Sequence, residues 1–290
     1  MMQRSEAEIM QLLIETARQD ERIRAVAMNG SRVNDRAPRD EFQDYDVVYA
    51  VTEMDSFLRE PDWIDVFGER LIMQTPESMA LFPSEPSDRF AYLMLFRDGS
   101  RIDLTLVLLV DFHTYLKEDS LTKVLLYKDG PAPGMPAPSD RDYWVQKPSV
   151  SLFLDCCNEF WWITTYVAKG LARKEILYAE DCLTAYARPM LMKMLEWQVG
   201  IRTGFSVSIG KSSKYIQNHL AESEWEWLLS TYARAEDADT WRALFAMCGL
   251  FRKTALETAG HFGWVYPMEE DQRVTKYLEQ VSSRFSGGQA

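Results

Sequence analysis

Between Gly130 and Ser139 the chain carries four prolines and two glycines in ten residues. Neither a helix nor a central strand runs through such a stretch, because proline lacks the amide donor and cannot follow a regular ladder. The segment reads as a linker or wrapping loop, and the flanks differ in texture. Upstream, short apolar runs alternate with turns. Downstream, from Pro148 on, helical periodicity is almost unbroken. We therefore expect an α+β chain of two domains. Residues 1–135 would form a mixed sheet with helices, and residues 136–290 a helical bundle. A length of 290 residues is enough to bury two cores.

Upstream, Ser5 and Glu8 have capping-box spacing, and Ile9, Leu12, Leu13 and Ala17 recur at helical intervals. Ala25–Met28 reads as a buried strand ending at Asn29-Gly30. Further strands are expected at Tyr45–Val51, Leu71–Met73, Phe90–Phe96 and Arg101–Val110, the last two joined through an Asp98-Gly99 turn. Downstream, amphipathic helices are expected at 149–169, 174–201, 212–233, 238–261 and 270–284. Trp161-Trp162 and Trp225/Trp227 fall on these and read as core.

Composition excludes several function classes. A net charge of −12 argues against nucleic acid, whose phosphates attract basic surfaces, and suits a cationic small molecule. No apolar run reaches membrane-spanning length. The start, Met1-Met2-Gln3-Arg4-Ser5-Glu6, lacks the basic-then-apolar order of a signal peptide. Cys156, Cys157, Cys182 and Cys248 show no metal or redox spacing and read as buried reduced thiols of a cytoplasmic protein. His113, His219 and His261 fit no triad and no metal pattern, so no role is assigned to them.

The chemistry lies in Gly30-Ser31, then twelve residues, then Asp44-Tyr45-Asp46. Two positions apart on a strand, Asp44 and Asp46 point to one face. Paired carboxylates repel unless a positive charge sits between them, and magnesium (Mg2+), a hard cation that takes oxygen ligands, is the natural one. Asp103 sits between Ile102 and Leu104 on a later strand and projects opposite them. If that strand neighbours Tyr45–Val51, the three carboxylates converge as a metal site suited to phosphoryl displacement. Gly30 lets the backbone approach a phosphate closely, and amides and the Ser31 hydroxyl can cradle it. Gly210-Lys211-Ser212 imitates a P-loop ending, but the upstream glycine, Gly204, is misplaced by one residue and the preceding segment reads as helix.

Ala27-Met28-Asn29-Gly30-Ser31-Arg32-Val33-Asn34 and Phe42-Gln43-Asp44-Tyr45-Asp46 resemble the aminoglycoside 6-adenylyltransferases of the polymerase-β-like nucleotidyltransferase superfamily. Asp98-Gly99-x-Arg101-Ile102-Asp103-Leu104, Asn158-Glu159-Phe160-Trp161, Lys174–Ala179 and Gly210-Lys211-x-x-Lys214-Tyr215 are similar too, so the resemblance runs over about residues 3–280. It implies a nucleotidyltransferase domain followed by a helical domain, with the active site in the cleft between them. It also implies ATP and magnesium, and transfer of AMP to a streptomycin hydroxyl, at the 6-position. Within that frame Gly30, Ser31 and Arg32 would meet the nucleotide and Asp44, Asp46 and Asp103 the metal. Lys211 or Lys214, more weakly Lys169, would reach the triphosphate, and Asp181 rather than its neighbour Glu180 would take the acceptor's proton. A related acceptor, or an inactive nucleotide-binding protein, is the alternative.

Overall fold

The computed structural model describes residues 3–82 and 88–286, so Met1 and Met2 lie outside the described residues. By its internal contacts the chain separates into two compact units, Met1–Asp142 and Tyr143–Ala290. The expected boundary at 135 falls short of this one because the proline-rich stretch is tied back to the first unit. Ser120 and Ser139 exchange backbone and hydroxyl hydrogen bonds at 2.9 and 2.6 Å.

The first unit is a six-stranded sheet in the order β3-β4-β5-β2-β1-β6. Its strands are β1 (Ile23–Asn29), β2 (Tyr45–Val51), β3 (Arg70–Gln74), β4 (Arg89–Phe96), β5 (Arg101–Leu108) and β6 (Thr122–Tyr127). Helices α1 (Glu6–Gln19), α2 (Asp55–Arg59) and α3 (Leu109–Tyr115) accompany it. Ser5 caps α1 in the capping box expected from its spacing with Glu8. Every neighbouring pair is antiparallel except β2 and β5, which run parallel at the centre.

Alternation divides the sheet into two faces. Val26, Met28, Val47, Tyr49, Ile102 and Leu104 pack into one core with Ile9 and Leu13 of α1. Ala25, Ala27, Val48, Ala50 and Val107 pack on the other face against Phe112 and Leu116 from α3 and its end. Residues 109–110, expected as strand, begin that helix, and β6 has no counterpart among the expected strands.

The second unit is helical: α4 (Val150–Ala172), α5 (Ile176–Asp181), α6 (Arg188–Thr203), α7 (Glu222–Ser230), α8 (Asp237–Phe262) and α9 (Met268–Ser286). Between α5 and α6, Cys182–Ala187 form a π-helical segment. Pro189 explains it. Having no N–H, Pro189 cannot close the usual bond to the Ala185 carbonyl, and the widened turn absorbs the gap. The expected helix at 212–233 is only α7. Before it, Ser212 and Ser213 stand at φ 55° and 58°, in the left-handed region where an α-helix cannot continue.

Trp161 is buried as expected. Its Nε1 donates to the Tyr266 hydroxyl at 2.9 Å, which donates to the fully buried Asp271 at 2.7 Å. Arg252 Nε completes the group, donating to Asp271 at 2.6 Å. Trp162, expected in the core, is instead 57% exposed, because the next helical position turns away from the face Trp161 buries. No helix among the described residues is long and apolar enough to cross a membrane.

Candidate active site

β1 ends at Asn29, and Gly30–Val33 turn at once into a short 3-10 helix. Gly30 has φ +72°, and a methyl group there would collide with Asp46 Oδ2 and sit 3.2 Å from its Cγ. A glycine is therefore required at this point, and the missing side chain is the space the Asp46 carboxylate fills. The Gly30 amide donates to the Leu121 carbonyl at 3.1 Å. That leaves the amides of Ser31 and Arg32, which lead the turn, as the donors a phosphate would meet.

In the parallel pairing of β2 with β5, Asp46 lies directly opposite Asp103. Both project on the face that carries Ala25 and Val48, at the amino-terminal ends of their strands. Asp44 precedes β2 on the same face. The condition set by the sequence, that β5 neighbour β2, is met. Burial and the charges of Asp103 and Asp44 push the Asp46 carboxyl up to about 6.

Arg101 supplies the opposing charge. Its Nε and Nη2 each donate to one oxygen of Asp103 at 2.8 Å, and its Nε stands 3.7 Å from Asp44. In this arrangement no group of three or more His, Cys, Asp or Glu side chains among the described residues stands ready to hold a metal ion. The donor set itself, three carboxylates on one face, has the hard oxygen chemistry that magnesium takes.

The Arg32 side chain is turned into the protein. Its guanidinium donates to the carbonyls of Asp44 at 3.0 Å and Gln43 at 2.7 Å and to Glu6 at 3.0 Å, and lies 3.5 Å over the Tyr45 ring. It is a strut that fixes where Asp44 and Asp46 enter the sheet, and its donors are turned to the protein. Arg101 has no role in the reading of the sequence, yet its position two residues before Asp103 on a strand places it on that residue's face.

A cleft of about 320 Å3 lies beside this turn, lined by Leu116, Ser120, Thr122, Met135 and Arg141 among others. Thr122 joins it to the turn by accepting from Asn29 Nδ2 at 3.1 Å.

The remaining candidates belong to the helical unit. Asp181 ends α5 and is exposed. Glu180 is half-buried and accepts from Thr240 Oγ1 at 2.5 Å. Lys211 and Lys214 are exposed in the loop with the left-handed serines, where Lys214 lies 5.0 Å over the Tyr215 ring. Lys169 lies 4.9 Å over the Tyr166 ring. The four cysteines are buried and unpaired, and burial pushes the Cys156 thiol up to about 12, outside any nucleophilic role.

Comparison with known proteins gives a consistent result. The sequence model of a family described as streptomycin adenylyltransferase matches residues 3–281. An aminoglycoside 6-adenylyltransferase of Bacillus subtilis (strain 168) is 43% identical over 279 residues, covering 96% of this chain and 98% of its own. One of Campylobacter jejuni is 43% identical over 282 residues, covering 97% of each chain. A crystal structure of an aminoglycoside 6-adenyltransferase from Bacillus subtilis aligns at 40% identity with a TM-score of 0.48, over 96% of this chain and 99% of that one.

Proposed function

The chain belongs to the streptomycin adenylyltransferase family, and from that premise we propose that it transfers AMP from ATP to the 6-hydroxyl of streptomycin, inactivating the antibiotic. It is an adenylyltransferase, and ATP is its co-substrate. The observation that carries the reading is the pairing of Asp46 with Asp103 beside Gly30. Few arrangements other than a nucleotide-and-cation site reward like charges packed face to face beneath a turn with amides at its head.

Asp44, Asp46 and Asp103 would hold magnesium, which when bound would offset charge on the phosphates. Ser31, with its hydroxyl and amide, and the Arg32 amide bind phosphate oxygens. The acceptor hydroxyl attacks the α-phosphorus, the bond to the β-phosphate oxygen breaks and pyrophosphate leaves. The acceptor's proton passes to Asp181. The negative net charge favours a cationic acceptor over a neutral one.

The test is incubation with ATP, magnesium and streptomycin, with mass spectrometry of the product. A gain of one AMP on streptomycin is expected. Transfer to another aminoglycoside or a lincosamide but not to streptomycin would overturn the acceptor, and no transfer to any would leave a nucleotide-binding protein.

Asp181→Asn is expected to lower kcat on the order of 10²-fold with ATP binding nearly unchanged, since the amide keeps the shape but cannot accept the proton. Glu180→Gln is the control. Its carboxylate is engaged with Thr240, so its loss should show mainly as a lower Tm. A crippled Glu180→Gln beside an active Asp181→Asn would reverse the assignment.

For the triphosphate, Lys211→Ala or Lys214→Ala should weaken ATP about tenfold, the scale of one charge-assisted contact. The support is the loop's backbone: three of its residues, Gly210, Ser212 and Ser213, stand at positive φ, and such strain gathers at ligand clamps. Unchanged ATP affinity in both variants would remove the loop from the site.

A further inference from the structure

We propose that Arg101 is a built-in counter-cation of the carboxylate site, which yields Asp103 to the divalent cation and turns onto the nucleotide's phosphates. This rests on the reading of Asp44, Asp46 and Asp103 as metal ligands.

The geometry begins with β5. Arg101 and Asp103 are two apart and share a face. The guanidinium covers both oxygens of Asp103 at 2.8 Å, and the same Nε lies 3.7 Å from Asp44. A cation that takes Asp103 as ligand must displace this fork. Displacement is feasible because the Arg101 side chain is 43% exposed and can swing into solvent, leaving Asp103, 17% exposed, to a divalent cation whose charge is twice that of the guanidinium.

Once displaced, the fork needs another acceptor. Its backbone partner on β4 is Leu95, which offers no charge. The other carboxylates in its field are Asp44 and Asp46, themselves ligands in this reading. Phosphate oxygens match a guanidinium fork as well as a carboxylate does. The residue thus holds the acidic site together while no nucleotide is present, and joins the ligand when nucleotide and cation arrive together. A lone cation meets competition from Arg101, whereas the cation–nucleotide pair does not.

Two affinities should therefore move in opposite directions in Arg101→Gln. Manganese binding without nucleotide, read by electron paramagnetic resonance, should tighten roughly five- to tenfold. Binding of a non-hydrolysable ATP analogue with magnesium, read by calorimetry, should weaken by a similar factor. Arg101→Lys, which keeps the charge but loses the fork, should fall between. Thermal melts establish that each variant is folded. Unchanged or weaker manganese binding in Arg101→Gln overturns the proposal, as does unchanged analogue affinity. Asp103→Asn separates the premises. If wild type binds manganese, Asp103→Asn does not and Arg101→Gln matches wild type, only the Arg101 inference falls. If Asp103→Asn binds like wild type, or Arg101→Gln binds no manganese, the metal assignment falls and this inference with it.

Discussion

Asp46→Asn is expected to abolish adenylyl transfer, a loss on the order of 10³-fold or more, and to leave a chain that is more stable than wild type in chelator. The two effects share one cause. Asp46 is packed against Gly30, faces Asp103 across the β2–β5 pairing and has Asp44 two residues away. A cation held there supplies several kcal/mol of charge stabilisation in the transition state, and each 1.4 kcal/mol is about a tenfold change in rate. With no cation, the ionised carboxylate pays for its burial and its neighbours. Its folded-state pKa of about 6 lies above the ordinary value of 3.8, so the folded state binds more protons than the unfolded between those values. Wild-type stability is therefore lost as pH rises through that window, by about 2–3 kcal/mol at most. The amide of the variant carries no such charge. Melting curves in chelator should show the variant above wild type at pH 8, with the gap closing toward pH 4. Activity above a tenth of wild type would remove Asp46 from the metal site.

Gly30→Ala should also cost on the order of 10²- to 10³-fold in activity, with the opposite effect on stability. The added methyl enters the space of the Asp46 carboxylate and the residue must hold φ +72°. The strain of a left-handed non-glycine residue is about 1–3 kcal/mol before the clash is counted. Either the carboxylate swings away from Asp103 or the 3-10 turn shifts, and both disturb the place where, in the proposed reading, phosphate and cation would meet. Tm should fall with activity. A variant that keeps both would show that the turn and the carboxylate are not one unit. The contrast between the two substitutions is diagnostic, because one removes repulsion and the other adds a collision at the same point.

Much of this site is legible from residue order. Gly30-Ser31, Asp44-x-Asp46 and the alternation around Asp103 are local patterns, and a strand's two-residue period decides which face each side chain takes. The neighbourhood of β2 and β5 is not legible, since strand order depends on contacts between distant segments. β6 escapes for a related reason. Thr122–Tyr127 is six residues long and only Lys128 and Asp129 separate it from the Gly130–Ser139 stretch, and its partner is β1, far back in the sequence. The start of α3 reads as strand because Leu109-Val110 continue the β-branched and leucine run of β5. Its helical form is set by packing on Ala25, Ala27 and Val107. Arg32 sits in the motif that suggests nucleotide contact, yet its bonds run to Gln43, Asp44 and Glu6. A motif gives the residue type, and the neighbours decide what the donors reach.

Asp46 and Asp103 pair across the one parallel contact in an otherwise antiparallel sheet. Hairpins such as β4–β5 can close locally, but none of them carries both carboxylates. Bringing positions 46 and 103 together requires the intervening chain to close as a loop, whose ordering cost must be met before the pairing rewards it. No short fragment of the chain contains the paired carboxylates, and a nascent chain acquires them as a pair only after β5 has been made. Until then each aspartate is an ordinary solvated acid, and the mutual repulsion that marks the finished site does not exist.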